Sequence, residues 1–469
     1  MHMLQDFSAF TIKWVALYCV GLTNIYVSSF KLETPLVKGD HGIRTDPLYP
    51  ETPISKDCRL KVQEFVAEQD LVDNAVKTDG EERLQFFLHV PRTGGRTLHK
   101  CFLIPATHPS RRCMPSYDSL RLNHSAPDCG LLSSHDDYSL VHSLPFKPAV
   151  FTSMRDPVER VLSAYEFVIQ NAQKELMNEK KEARPKGSPD VAKKRMQGSK
   201  VNTLQVYPWS ILVPLLQEKM QANQARRASL NFTELLFLDN KRDPYNSDLT
   251  VPLLEFIQHP SVASTIHNGA AFQLLGITAA SSVENAAEIR QCAQTGDAVV
   301  VDQLFQLAKK RLLNLAFVGL QEEHQLTMQL YAAKEGLLLS RRAHSAPSKE
   351  VTKAMDYDLH DDDGDGDTDV DAIPGARKHA DQVSIMEYYE KCVVKSLNKY
   401  SKQRSNVMTS LKWATGEPFL LNSMTRRSIQ PSVTNELRHR NQLDIRLYST
   451  AVSVFRERYA EYMRLNANF

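Results

Sequence analysis

Two stretches of this 469-residue chain concentrate side chains that bind anions. The first reads Phe86-Phe-Leu-His-Val-Pro-Arg-Thr-Gly-Gly-Arg-Thr97. An apolar strand here runs into a glycine turn and then a helix start. Gly94 and Gly95 let the backbone come close to a ligand. The N–H groups at the helix N-terminus then face negative charge. Thr93 and Thr97 add hydroxyls, while Arg92 and Arg96 add forked donors suited to phosphate or sulfate. The G-x-x-x-x-G-K-[ST] pattern is absent, so this is not the loop of a nucleoside triphosphatase. The second stretch reads Thr152-Ser-Met-Arg-Asp-Pro-Val-Glu-Arg-Val-Leu-Ser-Ala-Tyr165. Arg155 stands at a strand end, and Ser163 lies two turns into the following helix on a similar face. Two anion seats on neighbouring strands suit a nucleotide with phosphate at both ends of its ribose. Taken singly, each stretch also has a plain structural reading. One is a glycine turn with surface arginines; the other is an Arg155 ion pair with Asp156 or Glu159.

These residues need a scaffold, and the pattern around them supplies one. Strands are predicted at 85–90 and 149–154. Pro157 fits the first turn of a helix after the second strand. Strand, loop and helix in that order, twice, argue for an α/β fold. Near the C-terminus Leu447, Tyr448, Ala451, Val454, Phe455, Tyr459 and Tyr462 recur at helical steps and mark a core-facing stripe. Between these parts lie segments of different character. Prolines 35, 47, 50 and 53 argue against regular structure over 31–82, which reads as a stem. Residues 171–200 hold nine Lys or Arg against four Asp or Glu, a solvated basic insert or a patch for an acidic partner. Residues 341–383 carry Asp356, Asp358, Asp361, Asp362, Asp363, Asp365, Asp367, Asp369 and Asp371, too charged to bury a core. Asp361-x-Asp363-x-Asp365-Gly366 imitates the start of a calcium loop, but Ala372 stands at the twelfth position, where the required Glu belongs. The organisation expected is 1–30 targeting segment, 31–82 stem, 83–340 catalytic part, 341–383 acidic linker and 384–469 helical completion of the catalytic part.

The N-terminus and the cysteines bear on the compartment. No charged residue occurs from 14 to 30, which reads as a cleaved signal peptide or a short signal anchor. Beyond Cys19, six cysteines remain: Cys58, Cys101, Cys113, Cys129, Cys292 and Cys392. None has C-x-x-C spacing, so disulfides in an oxidising compartment are expected, with the pairing open. Sequons at Asn123 and Asn231 fit lumenal exposure. A net charge of +2 does not mark a nucleic-acid binder.

The two anion-binding stretches resemble the 5′-phosphosulfate loop and the 3′-phosphate site of sulfotransferases that use 3′-phosphoadenosine 5′-phosphosulfate (PAPS). The heparan sulfate 6-O-sulfotransferases share the general pattern, with a loop of the form H-x-x-K-T-G-G-T-T. Plant-type tyrosylprotein sulfotransferases match more closely, through 86–103, 134–140, 155–167, 266–278, 316–324 and 435–459. The resemblance implies a P-loop-like PAPS-dependent sulfotransferase fold, with a central parallel sheet flanked by helices. It implies PAPS as sulfuryl donor, held by Arg92, Thr93, Gly94, Gly95, Arg96, Thr97, Arg155 and Ser163, and no metal. Arg92 stands where the 6-O family has lysine and keeps the charge for the transferred group. His135, in Ser134-His-Asp-Asp-Tyr-Ser-Leu140, takes the place of the proposed base, with Asp136 or Asp137 to orient it and favour its charged form. His267, Asn268 and Gln273 are expected to line the cleft. The implied acceptors are tyrosines beside acidic residues in secreted peptides or proteins, in the Golgi lumen. The rival readings are a glycan O-sulfotransferase and a non-catalytic lumenal binding protein. Plant tyrosine enzymes carry a C-terminal membrane helix that this sequence does not show, so either the chain is truncated or 14–30 is the anchor.

Overall fold

The computed structural model describes residues 53–75, 84–107, 111–113, 129–182, 206–342, 385–422 and 424–466. The apolar segment 14–30, the sequon at Asn123, residues 183–205 and the acidic run 343–384 lie outside the described residues. The sheet has four parallel strands: β1 (Gln85–Leu88), β2 (Leu131–Ser134), β3 (Ala149–Met154) and β4 (Phe317–Leu320). Their order is β2-β1-β3-β4, so the chain crosses over β1 and places that strand at the centre. Phe87 of β1 sits between Ser133 of β2 and Phe151 of β3. This register brings the loops after β1, β2 and β3 to one edge of the sheet. Open parallel sheets bind ligands at that carboxyl edge. β3 is buried along its whole length, as expected of a strand covered on both faces. The two strands predicted from sequence are thus present, the first ending at Leu88.

The helices that matter below are, in chain order, α1 (Pro53–Ala75), α2 (Gly95–Leu98), α3 (Ser139–Ser143), α4 (Pro157–Glu182), α5 (Trp209–Ala228), α6 (Phe232–Leu238), α7 (Gly269–Leu275), α8 (Ala298–Leu313), α9 (Ile385–Met408), α10 (Pro431–Arg440) and α11 (Gln442–Asn466). One apolar core joins the sheet to α1, α7, α8 and the C-terminal α11, where Leu447, Ala451 and Phe455 are buried as their periodicity requires. A second core lies between α4 and α5, around Val161, Tyr165, Leu212 and Leu216. Pro157 opens α4, and Ser163 lies within it.

The expectation of irregular stem from 31 to 82 fails over α1. Pro53 is the first residue of that helix, where a missing N–H costs nothing. Phe65 and Val62 bury themselves in the main core, and Cys58 is bonded to Cys292. The described residues, α1 included, therefore form one compact unit. All six cysteines are paired, the others as Cys101–Cys392 and Cys113–Cys129. Among the described residues no helix is long and apolar enough to cross a membrane.

Candidate active site

The loop after β1 turns twice through left-handed backbone, at Arg92 (φ 69°) and Gly94 (φ 78°). Thr93 Oγ1 donates to the Val90 carbonyl (2.8 Å), and Ser153 Oγ donates to the Thr93 carbonyl (3.2 Å). The glycines are there for side-chain room as well as backbone freedom. A Cβ on Gly94 would overlap the Gln321 amide, and a Cβ on Gly95 would overlap the His89 ring. After the turn, α2 continues through a π-helical turn, His99–Leu103, which the Cys101–Cys392 disulfide fastens to α9. A shallow pocket, open to solvent, adjoins this loop and is lined by Thr93, Gly94, Thr97, Ser153, Gln321 and Tyr389 among others.

Arg92, Arg155 and Ser163 come together. Arg92 donates to Ser163 Oγ from Nε (3.1 Å) and Nη2 (2.9 Å), and its guanidinium lies over the Phe167 ring at 4.6 Å. Arg155 Nη1 donates to the Arg92 carbonyl (3.3 Å). The two stretches read separately in the sequence thus share one seat at the end of β3, with the Arg92 backbone in the glycine turn and its side chain on α4. The ion pair of Arg155 with Glu159 also forms, at 3.6 Å, as the plain reading of Arg155 expects.

Sequence reasoning missed Arg426. It is bound to Glu159 and, through Nε, to Glu166 Oε1 (2.7 Å). Its positive charge is near enough to Arg155 to lower that guanidinium's pKa, although burial does more. Glu159, Ser163 and Glu166 occupy one face of α4 at helical spacing, the one signal that could have pointed to basic partners there. Glu166 is buried beneath Arg426, Arg404 (2.9 Å) and the Tyr245 hydroxyl (2.7 Å). Burial alone would raise its carboxyl pKa; these donors bring it below the usual range instead.

His135 sits just past β2, buried, with its ring 4.4 Å from that of His89 at the end of β1. Burial, with Arg96 nearby, pushes its pKa down to about 4. His89 lies well below the ordinary value, chiefly from burial and then from His135, His99, Arg92 and Arg96. The expectation that a neighbouring carboxylate favours a charged His135 is therefore not met. Asp136 Oδ2 accepts from Ser134 Oγ (3.0 Å). Asp137 accepts from the Ser139 amide and from both the amide and the hydroxyl of Thr278 (2.9 and 2.6 Å). What holds the His135 loop is Gln273 Nε2, which donates to the carbonyls of His135 (3.0 Å) and Asp136 (2.7 Å).

His267 and Asn268 do not line this cleft. His267 bonds the Ile257 carbonyl (2.8 Å) and Asn441 (3.0 Å). Asn268 accepts from the amides of Leu443 and Asp444. Asp444 in turn takes Arg160 (3.0 Å) and the amide of Ala271 (2.8 Å). This buried joint fastens α11 to α7 and α4. It is a packing device, which polar residue types alone do not distinguish from a cleft.

No family model matches the sequence. The chain is 33% identical over 386 residues to a protein-tyrosine sulfotransferase of Arabidopsis thaliana, over 79% of this chain and 74% of that one. With the parallel sheet and the loop at its edge, this makes the molecule an α/β sulfotransferase of the PAPS-dependent fold. Within that class, the chain belongs to the protein-tyrosine sulfotransferase family.

Proposed function

We propose that this protein moves the sulfuryl group of PAPS onto tyrosine hydroxyls of lumenal proteins, with acidic residues beside the tyrosine favoured. The observation that carries the reading is the convergence of the glycine loop, the Arg92–Ser163–Arg155 seat and the buried His135 at one sheet edge. The loop's backbone amides and Thr97 receive the 5′-phosphosulfate; Arg92, expected from the resemblance at the transferred group, turns instead onto Ser163 and with it and Arg155 receives the 3′-phosphate. The apolar wall of Leu98, Leu320 and Val393 in the adjoining pocket suits the base.

A tyrosine phenol has a pKa near ~10 and attacks poorly without help. In the reaction its oxygen bonds to sulfur, the bond from sulfur to the 5′-phosphate oxygen breaks, and the phenolic proton passes to His135. Arg96, close enough to shift the His135 titration, offsets negative charge on the group in transfer. Gln273 keeps the imidazole loop in place. For the acceptor's acidic flanks, Arg438 lines a groove shared with Asp156, Glu159 and Arg426; the pairing of Arg426 with Glu159 leaves Arg438 to meet an acidic sequence. The N-terminal segment, read as an anchor, keeps the enzyme at the Golgi membrane.

The test is transfer from radiolabelled PAPS to an Asp-Tyr peptide and to heparan, side by side. Label on the tyrosine alone supports this reading. Label on heparan alone transfers the chain to the glycan O-sulfotransferases, and label on neither, with PAPS bound, makes it a binding protein.

A further inference from the structure

Asn231 opens α6 in a way that leaves it available for modification. Its Oδ1 accepts from the Glu234 amide (3.0 Å), and Glu234 returns a bond to the Asn231 amide (2.9 Å), a complete capping box. Nδ2 makes no hydrogen bond among the described residues, and the side chain is exposed. Asn231-Phe-Thr is a sequon, and Thr233 is exposed with it. The helix that follows is unusual. No residue of α6 is buried, yet Phe232 (62% exposed), Leu236, Phe237 (76%) and Leu238 all face solvent. Four exposed apolar side chains on one seven-residue helix call for a cover.

We infer that Asn231 carries an N-linked glycan and that this glycan shields the apolar surface of α6. The occupant is fixed by attachment rather than by affinity. Seven residues of helix rise only about 10 Å, so a sugar chain rooted at the cap lies within reach of every exposed apolar side chain. In the transfer, Nδ2 bonds to the anomeric carbon of a lipid diphosphate-linked oligosaccharide. The bond from that carbon to the diphosphate breaks, and the amide gives up one proton. Oδ1 keeps its bond to Glu234, so modification and helix cap coexist. The inference rests on the lumenal reading of the chain and is independent of the sulfuryl acceptor.

The test uses the full chain expressed through a eukaryotic secretory pathway. Peptide mapping with and without amidase treatment is expected to find glycan on the peptide containing Asn231. The variant Asn231→Asp keeps an equally good cap but loses the sequon. It is expected to melt at the wild-type temperature while binding several-fold more of a dye that reports apolar surface. Adding Phe237→Ser is expected to reverse that gain. A bare Asn231 on protein whose Cys58–Cys292 and Cys101–Cys392 bonds are formed would overturn the site while leaving the compartment intact. Reduced thiols together with a bare Asn231 would overturn both. Glycan at Asn231 with no change in dye binding on its removal would overturn the shielding.

Discussion

Burial and Arg96 hold His135 near a pKa of about 4, so at neutral pH the imidazole is an unprotonated but weak proton acceptor. A donor with several negative charges offsets Arg96 and lifts the imidazole toward its ordinary value. The acid limb of turnover measured with saturating PAPS should therefore fall at higher pH than the titration of His135 in the free protein, which NMR can follow. Coincident values would remove the electrostatic link between Arg96 and the base. His135→Ala should lower turnover about 10²–10⁴-fold with affinity for the desulfonated donor nearly unchanged. Arg92 and Ser163 make a sharper case, because they touch. Arg92→Ala and Ser163→Ala should each weaken binding of the 3′,5′-bisphosphate product, and the double variant should lose less than the sum. Calorimetry on the four proteins measures this. Strict additivity would mean that the two side chains serve different phosphates, as their separate positions in the sequence suggest.

At the scale of elements, the glycine turn is held open by what fills it. A Cβ at Gly94 collides with Gln321 and demands a left-handed residue, whereas a Cβ at Gly95 meets only the His89 ring. Gly94→Ala should thus abolish donor binding. Gly95→Ala should displace His89, and with it His135, reducing turnover more than donor affinity. Equal losses in both quantities for both variants would show that the turn acts as one unit. Much of this architecture was legible in the sequence. β3 was found at its full length because an apolar run bounded by Pro148 and Asp156 has few alternatives. The terminal helix was found by its stripe. The start of α1 was not, because Pro53 looked like one more proline of a stem when it is a helix N-terminus. The roles of Asp137, His267 and Asn268 were equally hidden. Each bonds a segment more than 100 residues away, to Thr278, Asn441 and Leu443, and local spacing carries no trace of such partners.

Across the whole molecule, buried imidazoles couple the fold to pH. His135 and His267 are each pushed down to about 4 and His89 well below its ordinary value, all chiefly by burial, and His99 to about 3, although it is only half-buried. In the unfolded chain each would titrate near ~6.5. Their folded values are depressed, so their contribution is complete above that pH. It is lost as pH falls from there toward the folded values, where the unfolded chain binds protons that the folded one refuses. Each fully buried histidine then costs roughly 1.4 kcal/mol per pH unit. Asp73 and Glu166, whose pKa values are lowered, add to the loss only below the usual carboxylate range. Asp444, whose pKa is raised, works in the opposite sense. Melting temperature should accordingly drop between about pH 6 and pH 4.5, before most carboxylates protonate. His267→Gln should lessen the slope by about one proton, since His267 belongs to the α7–α11 joint and not to the catalytic cluster. Saturating bisphosphate product should shallow the slope further, because its charge offsets Arg92 and Arg96 beside His89 and His135. A melting temperature that stays level from pH 7 to pH 5 would show that these imidazoles reach water in the folded state, and the same measurement would then remove the low starting pKa on which the predicted shift of the acid limb for His135 rests.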